Sequence, residues 1–369
     1  MQIPSWPQAG EREAELLRRV LESPQWGGFH PFVAEFEQSF AAYQHSAFGI
    51  SAFNGTVTLE AALTVLGIGQ GDEVIVPAIS FIATASAVSR VGAIPVFVDI
   101  GEDSFNIDPQ RVREAISMKT KAVIAVHFGG IMCDIEAIER ICREHGLVML
   151  EDAAHAQGSE WNGKRAGSFG IAGSFSFQNG KVLTAGEGGM LVSSDEKFAA
   201  AARSLANGGR VPGRSFYEHP NLGTNLRLTA FQAAVLLAQF ERLPQQIATR
   251  TANARVLKQY LDGTREIAWQ KEPAESTQNS FYLLVGRTEN SETRDRLCRA
   301  LAIAGVPCTP FYPHPLYGNE LYGRLECRVM PCPVAEARIE DAFWLPHRVL
   351  LAAEPVMAEI AGLICSGSP

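Results

Sequence analysis

KAVIAVHFGGIMCDIEAIERICREHGLVMLE, residues 121–151, decides the fold. The apolar, β-branched run at 121–127 and LVMLE at 147–151 read as strands, and 134–145 between them carries a helical repeat. The same rhythm extends upstream. EVIVP (73–77) and PVFVD (95–99) are further strands, and 56–66, 82–91 and 108–117 are further helices. Strands alternating with helices pair in parallel through right-handed crossovers. The strands are almost wholly apolar, as strands buried on both faces must be. The expected fold class is α/β: a mostly parallel central sheet with helices on both faces.

Working outward, 11–22 and 31–43 read as helices separated by the Gly/Pro-rich loop WGGFHP (26–31). From residue 173 the rhythm changes. GSFSF and GMLVSS are two short strands joined by QNGKVLTAGEG, followed by a helix at 196–206 and the loop NGGRVPGRSFYEHPNLG (207–223). A long helical pattern covers 229–261. Beyond it come strands at 280–286 and 306–312 and helices at 292–304, 333–342 and 354–365. A chain of 369 residues exceeds one ordinary domain of about 100–200 residues. We expect a large domain over 1–245, including the N-terminal segment, and a smaller α+β domain over 246–369.

The formal net charge of −8 argues against a general electrostatic hold on nucleic acid or acidic membranes. Seven cysteines, an odd number with no CxxC pair, suggest neither a disulfide framework nor a zinc ribbon, so no metal is expected. The start, MQIPSWPQAGEREAELLRRV, lacks a basic segment followed by an apolar one. No apolar run reaches the roughly 18 residues that span a membrane. The expectation is a soluble, cytoplasmic protein.

Three stretches carry chemistry. In SAFNGTVTLEAAL (51–63), Asn54-Gly55-Thr56 precedes a helical pattern. A helix N-terminus offers free N–H groups and a positive dipole end, a cradle for phosphate; read alone, it is an ordinary cap. Gly67-Ile68-Gly69-Gln70-Gly71 is the nearest approach to a dinucleotide fingerprint, but it precedes a strand instead of following one. In VMLEDAAHAQG (148–158), Asp152 follows a strand at the end where open α/β sheets bind ligands. A carboxylate there can keep a heteroaromatic nitrogen protonated, and His155 can reach a neighbouring oxygen. In SFSFQNGKVLTAGEGGMLV (174–192), Lys181 sits among apolar residues and glycines, where partial desolvation makes an amine available for imine chemistry. Each stretch alone has a structural explanation. Together they supply what pyridoxal phosphate requires: anchors for its phosphate, its ring nitrogen and its aldehyde carbon.

At these residues the chain resembles the DegT/DnrJ/EryC1/StrS aminotransferase family. The motifs NGT, VPAISFIATA, DIGEDSFNIDP, EDAAHAQGS, GSFSFQNGKVLTAGEGG and NLGTNLRLTAFQAA occur in family order along nearly the whole chain. The resemblance implies the type I fold of pyridoxal-phosphate enzymes. It makes Lys181 the Schiff-base lysine and proton carrier, Asp152 the partner of the pyridine nitrogen and His155 the contact to the 3′ oxygen. Phe81 becomes the aromatic that stacks on the ring, with Gly55, Thr56 and Ser176 on the phosphate. Asn225, in GTNLR, matches a residue that reaches the neighbouring subunit's cofactor, so a homodimer with shared active sites is implied.

Two branches are similar. WPQ (6–8), FYPHPLY (311–317) and HRVLLAAEP (347–355) resemble glutamine-dependent inosose aminotransferases of aminoglycoside biosynthesis. SFQNGK, AGEGG and HRVLLAAEP also resemble 3-amino-5-hydroxybenzoate synthase, an aromatising enzyme. A shortened stretch between 207 and 222 departs from the first branch. Arg227, Tyr312, His314 and His347 are candidate substrate contacts. The implied reaction moves an amino group from L-glutamine or glutamate to a cyclic ketone such as an inosose or keto-sugar. Dehydratases of the family carry His where Lys181 stands, which disfavours dehydration.

Overall fold

The computed structural model describes residues 1–263 and 267–366. The first seven strands to form sheet or ribbon up to the middle of the chain are β1 (Phe48–Ala52), β2 (Glu73–Pro77), β3 (Ile94–Val98), β4 (Thr120–Val126), β5 (Val148–Asp152) and the two-residue pair β6 (Glu160–Trp161) and β7 (Lys164–Arg165). β8 (Ala172–Ser176) and β9 (Gly189–Ser193) follow. The remaining strands are β10 (Ala268–Trp269), β11 (Leu283–Arg287), β12 (Thr309–Pro310), β13 (Arg328–Val329) and β14 (Ala342–Pro346). The main sheet has the order β1-β9-β8-β5-β4-β2-β3-β13. The four strands expected from the rhythm at 73–151 pair in parallel. β9 is antiparallel to both its neighbours and runs against the common direction.

Alternate residues on each strand enter opposite cores, as the two-residue repeat demands. Ile75, Val96, Val123, Ala125 and Met149 meet the helices Glu11–Glu22, Pro31–Tyr43, Ile135–His145 and Ala230–Tyr260. Val74, Val76, Phe97, Ala122, Ile124 and Leu150 meet Gly55–Val65, Ala83–Arg90 and Glu196–Ala206. The strands are therefore apolar on both faces because both faces are covered.

The chain travels from β2 to β3 on one side, then returns to β4, β5 and β8 on the other. Strand order thus reverses between β2 and β4, which opens a crevice at the carboxyl ends of the strands. A second, antiparallel sheet of order β10-β11-β14-β12 faces that crevice through the start of β11 and the middle of β14.

The C-terminal part also adds to the main sheet. β13 extends the β3 edge, held by Arg328, whose Nη2 donates to Glu73 Oε2 at 2.8 Å and Nε to Oε1 at 3.1 Å. The helix Ala230–Tyr260 is continuous through residue 245, starts on a Thr229/Gln232 capping box, and packs on the N-terminal helix, where Arg242 and Gln239 both donate to Glu13. The expected strands at 280–286 and 306–312 are present as the shorter β11 and β12. β1, β6, β7, β10, β13 and β14 are not among the strands expected from the sequence. No described helix is long and apolar enough to cross a membrane.

Candidate active site

A cavity of about 510 Å³ occupies the crevice. That is within the range of roughly 300–1,000 Å³ found for small-molecule sites.

Its first wall is the start of the helix Gly55–Val65. Asn54 caps it, Oδ1 accepting from Val57 N at 3.0 Å, and the first-turn amides of Gly55 and Thr56 have no intrahelical acceptor. The helix sits directly on the end of β8: a Cβ on Gly55 would lie 2.8 Å from Ser176 Cβ. A glycine is required for that approach. Thr58 and Ser174 lock the contact, with hydroxyl oxygens 2.7 Å apart. Gly55, Thr56 and Ser176 therefore converge on one end of the cavity.

Asp152 is the last residue of β5 and is only 8% exposed. Its Oδ2 accepts from Thr84 Oγ1 at 2.7 Å and its Oδ1 from Ala154 N at 3.3 Å. Thr84 has one hydroxyl proton and spends it on the carboxylate. The 2.7 Å contact between Ser80 and Thr84 is then a hydrogen bond donated by Ser80. His155 Nδ1 accepts from Gly129 N at 3.3 Å. Burial, reinforced by the charge of Lys181, pushes the imidazole well below its usual pKa. The ring is neutral, and with Nδ1 accepting, its proton is on Nε2, available to an acceptor in the cavity.

Lys181 follows a turn in which its N–H donates to Gln178 O at 2.8 Å. Burial lowers its pKa to about 8, against the opposing pull of Asp152. Its Nζ lies 4.4 Å from the centroid of the Tyr282 ring. Tyr282 packs in turn on His155, with ring centroids 4.3 Å apart, and on His347 at 6.0 Å. Tyr312 and Trp344, 5.3 Å apart in an edge contact, complete the wall contributed by the second sheet. Phe81, 58% exposed, forms the lip.

Of the twelve site residues expected from the sequence, Gly55, Thr56, Phe81, Asp152, His155, Ser176, Lys181 and Tyr312 line this cavity. Four do not. Asn225 is exposed and bridges to Asn207. Arg227 donates to Asn207 Oδ1 at 2.9 Å and lies over the Phe29 ring. His314 turns back on Pro315, with Nδ1 3.2 Å from its carbonyl oxygen. His347 is buried behind Tyr282, where Nε2 donates to Gly180 O at 3.1 Å. Its contact is with the backbone beside Lys181.

Thr84, Tyr282, Glu187 and Trp344 belong to the site but were not singled out in the sequence. Thr84 carried a usable signal, lying three residues after Phe81 in SFIATA. Tyr282 and Trp344 are embedded in apolar strands and carried none.

These groups fit pyridoxal phosphate. The helix start and Ser176 suit a phosphate, and the absence of a Cβ at Gly55 lets the two stand side by side. Asp152 offers a fixed carboxylate, His155 a neutral donor and Lys181 a desolvated amine. Among the described residues, no group of three or more His, Cys, Asp or Glu is placed to hold a metal ion.

Comparison with known proteins agrees with this geometry. The DegT/DnrJ/EryC1/StrS aminotransferase family model matches residues 7–363. The chain is 38% identical to 3-amino-5-hydroxybenzoate synthase of Amycolatopsis mediterranei (strain S699), covering 98% of this chain and 96% of the relative. It is also 38% identical to a putative L-glutamine:3-amino-2,3-dideoxy-scyllo-inosose aminotransferase of Micromonospora echinospora, covering 95% and 90% respectively. The crystal structure of a 3-amino-5-hydroxybenzoic acid synthase superposes with a TM-score of 0.94 at 37% identity, covering 99% of this chain and 98% of that one. The chain belongs to the DegT/DnrJ/EryC1/StrS aminotransferase family and is a pyridoxal-phosphate-dependent aminotransferase of fold type I.

Proposed function

We propose that this enzyme moves an amino group from L-glutamine or L-glutamate to a cyclic ketone, an inosose or a keto-sugar, in aminoglycoside-type or amino-sugar biosynthesis in the cytoplasm. The observation that carries the reading is Lys181: a lysine with its pKa lowered to about 8, sharing one cavity with a hydrogen-bonded carboxylate and a helix N-terminus.

Pyridoxal phosphate, when bound, supplies an electron sink for the bond that breaks at the substrate carbon. Gly55, Thr56 and Ser176 would hold its phosphate, and Phe81 would cover its ring. Asp152, oriented by Thr84, would keep the ring nitrogen protonated, and His155 Nε2 would donate to the ring oxygen. Lys181 takes the proton from the donor's Cα and, in the second half of the cycle, returns one to the carbon that was the ketone carbonyl. An amine with a pKa near 8 is suited to both directions near neutral pH. We assign residues 1–245 to the cofactor-binding domain and 246–369 to the smaller domain that supplies the substrate wall.

A shared-site homodimer is part of the proposal. Among the described residues, Lys181 is the one Lys or Arg lining the cavity, beside the carboxylates of Asp152 and Glu187. A phosphate and the donor's carboxylate both need further polar partners. Asn225 is exposed and outside its own cavity, as a residue reaching a neighbour's phosphate would be. Within one chain, Tyr312 is the substrate candidate in position to touch the ketone. Arg227 and His314 would act from the rim or across the dimer.

The second reading is an aromatising enzyme, favoured by the similarity to 3-amino-5-hydroxybenzoate synthase in both sequence and structure. One assay separates them. The cofactor-loaded protein is mixed separately with glutamine, glutamate and alanine, and the absorbance band of the lysine-bound cofactor is followed. The converted enzyme is then offered an inosose, a nucleotide-linked keto-sugar or an aminodehydroshikimate-type acid. Restoration of the band by the inosose or the keto-sugar is expected. Restoration by the acid alone, with release of an aromatic product, overturns the first reading.

A further inference from the structure

The second sheet holds a chemistry that the transamination does not use. Cys298 lies on the helix Ser291–Ile303, and Cys308 immediately precedes β12. The chain between them reverses at Gly305, which has φ +81°. Three backbone hydrogen bonds fix that reversal: Ala304 N to Ala300 O at 3.2 Å, Gly305 N to Ala302 O at 3.0 Å and Val306 N to Leu301 O at 2.9 Å. The returning strand lays Cys308 against the helix, and the two sulfurs stand 2.8 Å apart. Among the described residues no other two cysteine sulfurs form such a contact, although the chain has seven cysteines.

We propose that Cys298 and Cys308 are a modification site: a dithiol that is oxidised reversibly to an intramolecular disulfide by low-molecular-weight disulfides.

The site is built for this exchange. Cys298 is buried in the apolar core of the second sheet, whereas Cys308 is half-buried and opens the pair to solvent. The Cys308 hydrogen bond, with help from Arg294 one turn earlier on the helix, holds the Cys298 thiol below its usual pKa. The same hydrogen bond and burial push Cys308 up. Cys308 is the member that a small disulfide can reach. Its thiol gives its proton to solvent as its sulfur forms a bond to one sulfur of the oxidant and expels the other as a thiol. The Cys298 thiolate, already in contact with Cys308, then displaces the second oxidant sulfur from Cys308. Two protein thiols become one disulfide while one oxidant disulfide becomes two thiols, so electrons and protons balance. A disulfide needs its sulfurs at about 2.05 Å. The turn at Gly305 already holds the two sulfurs in contact.

The link would join the helix to the strand that leads into the active site. Cys308 continues into Thr309 and Pro310, which pair with Trp344 and Phe343, and then into Phe311 and Tyr312. Tyr312 and Trp344 both line the cavity. Oxidation would therefore stiffen the substrate wall and leave the cofactor floor untouched.

The test uses the cofactor-loaded, full-length protein equilibrated with reduced and oxidised glutathione, then alkylated and mapped by mass spectrometry under non-reducing conditions. A 298–308 cross-linked peptide, 2 Da lighter than the dithiol, is the expected species, together with a rise of a few degrees in Tm that reduction reverses. Cys365→Ser, at the exposed cysteine, should change neither. Cys298→Ser and Cys308→Ser should each abolish the cross-link and the Tm rise. If either variant fails to fold, the peptide map of the unmodified protein decides alone. Both cysteines remaining alkylatable in excess oxidised glutathione, a glutathione adduct on either that does not close, or a different cysteine pairing would each overturn the proposal. The readout does not depend on which ketone is the substrate.

Discussion

The two sides of the cavity are built by different means. The cofactor floor is made from strand ends of the main sheet, and hydrogen bonds hold its polar groups. Asp152 takes bonds from Thr84 and Ala154 and His155 from Gly129, while the Lys181 backbone N–H donates to Gln178 O in the turn before it. The substrate wall is made from the second sheet and a loop, and aromatic packing holds it. Tyr312 and Trp344 touch Phe311 and each other through ring edges, Tyr312 also leans on Phe128, and Tyr282 packs on His155 and His347. Hydrogen bonds fix the Asp152 carboxylate and the Lys181 backbone, as shared chemistry needs. An apolar wall can change its contour by exchanging side chains without leaving buried polar groups unpaired. The difference suggests that one part of the molecule sets the reaction and the other selects the ketone.

The largest test falls on the floor. Lys181→Ala should abolish the absorbance of the lysine-bound cofactor and lower the transamination rate by roughly 10⁴-fold or more, since nucleophile and proton carrier are lost together. A variant that kept both would remove Lys181 from the mechanism. The same lysine makes a pH prediction. An unperturbed lysine titrates near about 10.4. With its folded pKa lowered to about 8, the free amine falls tenfold per unit below that pH and is fully present above it. Capture of pyridoxal phosphate by the apoprotein should rise with pH and level off just above 8. A rate still rising at pH 10 would show that burial does not act on this amine.

The floor was also the part that the sequence revealed. Asp152 and His155 follow a strand that its own apolar run identifies, and Gly55 and Thr56 open a helix with a capping residue before it. Those are local signals. The wall is not local. Tyr282 reaches Lys181 across about a hundred residues of chain, and its segment reads only as an apolar strand. β14, AFWLP, follows the helix Pro333–Asp341 with no turn residue between them, so nothing in the sequence marks its start. β1, FGISA, carries Gly49 inside the strand. The fold requires that glycine, since a Cβ there would meet Glu37 O at 2.5 Å. His347 shows the same limit. Its motif marked it as a substrate contact, but its stacking on Tyr282 and bond to Gly180 place it behind the wall.

A smaller effect probes how the floor is held. Thr84→Val removes the donor to Asp152 Oδ2 and leaves a buried carboxylate oxygen short of a partner, a loss of about 1–3 kcal/mol. We expect kcat to fall about tenfold, from the same principle, with the ketone KM little changed. The absorbance of the bound cofactor should become pH-dependent as Asp152 loses its hold on the ring nitrogen, and Thr84→Ser should restore it. A fall in stability alone, without the spectral change, would reduce Thr84 to a packing residue.

The smallest effect belongs to the wall and separates it from the floor most cleanly. Burial, with the nearby Tyr282 and Asp152, pushes the Tyr312 hydroxyl above its usual pKa, so it stays a proton donor throughout the working range. Tyr312→Phe keeps the ring contacts with Phe311 and Trp344 and deletes only that donor. Loss of one hydrogen bond worth about 0.5–1.5 kcal/mol should raise the ketone KM about 2- to 10-fold. The donor half-reaction, measured as conversion of the cofactor band by glutamine, should stay within about twofold, because its proton transfer runs through Lys181 on the opposite side. If both half-reactions fell together, Tyr312 would belong to the chemistry shared by donor and acceptor, and the division between a reacting floor and a selecting wall would not hold at the residue where it is most directly exposed to test.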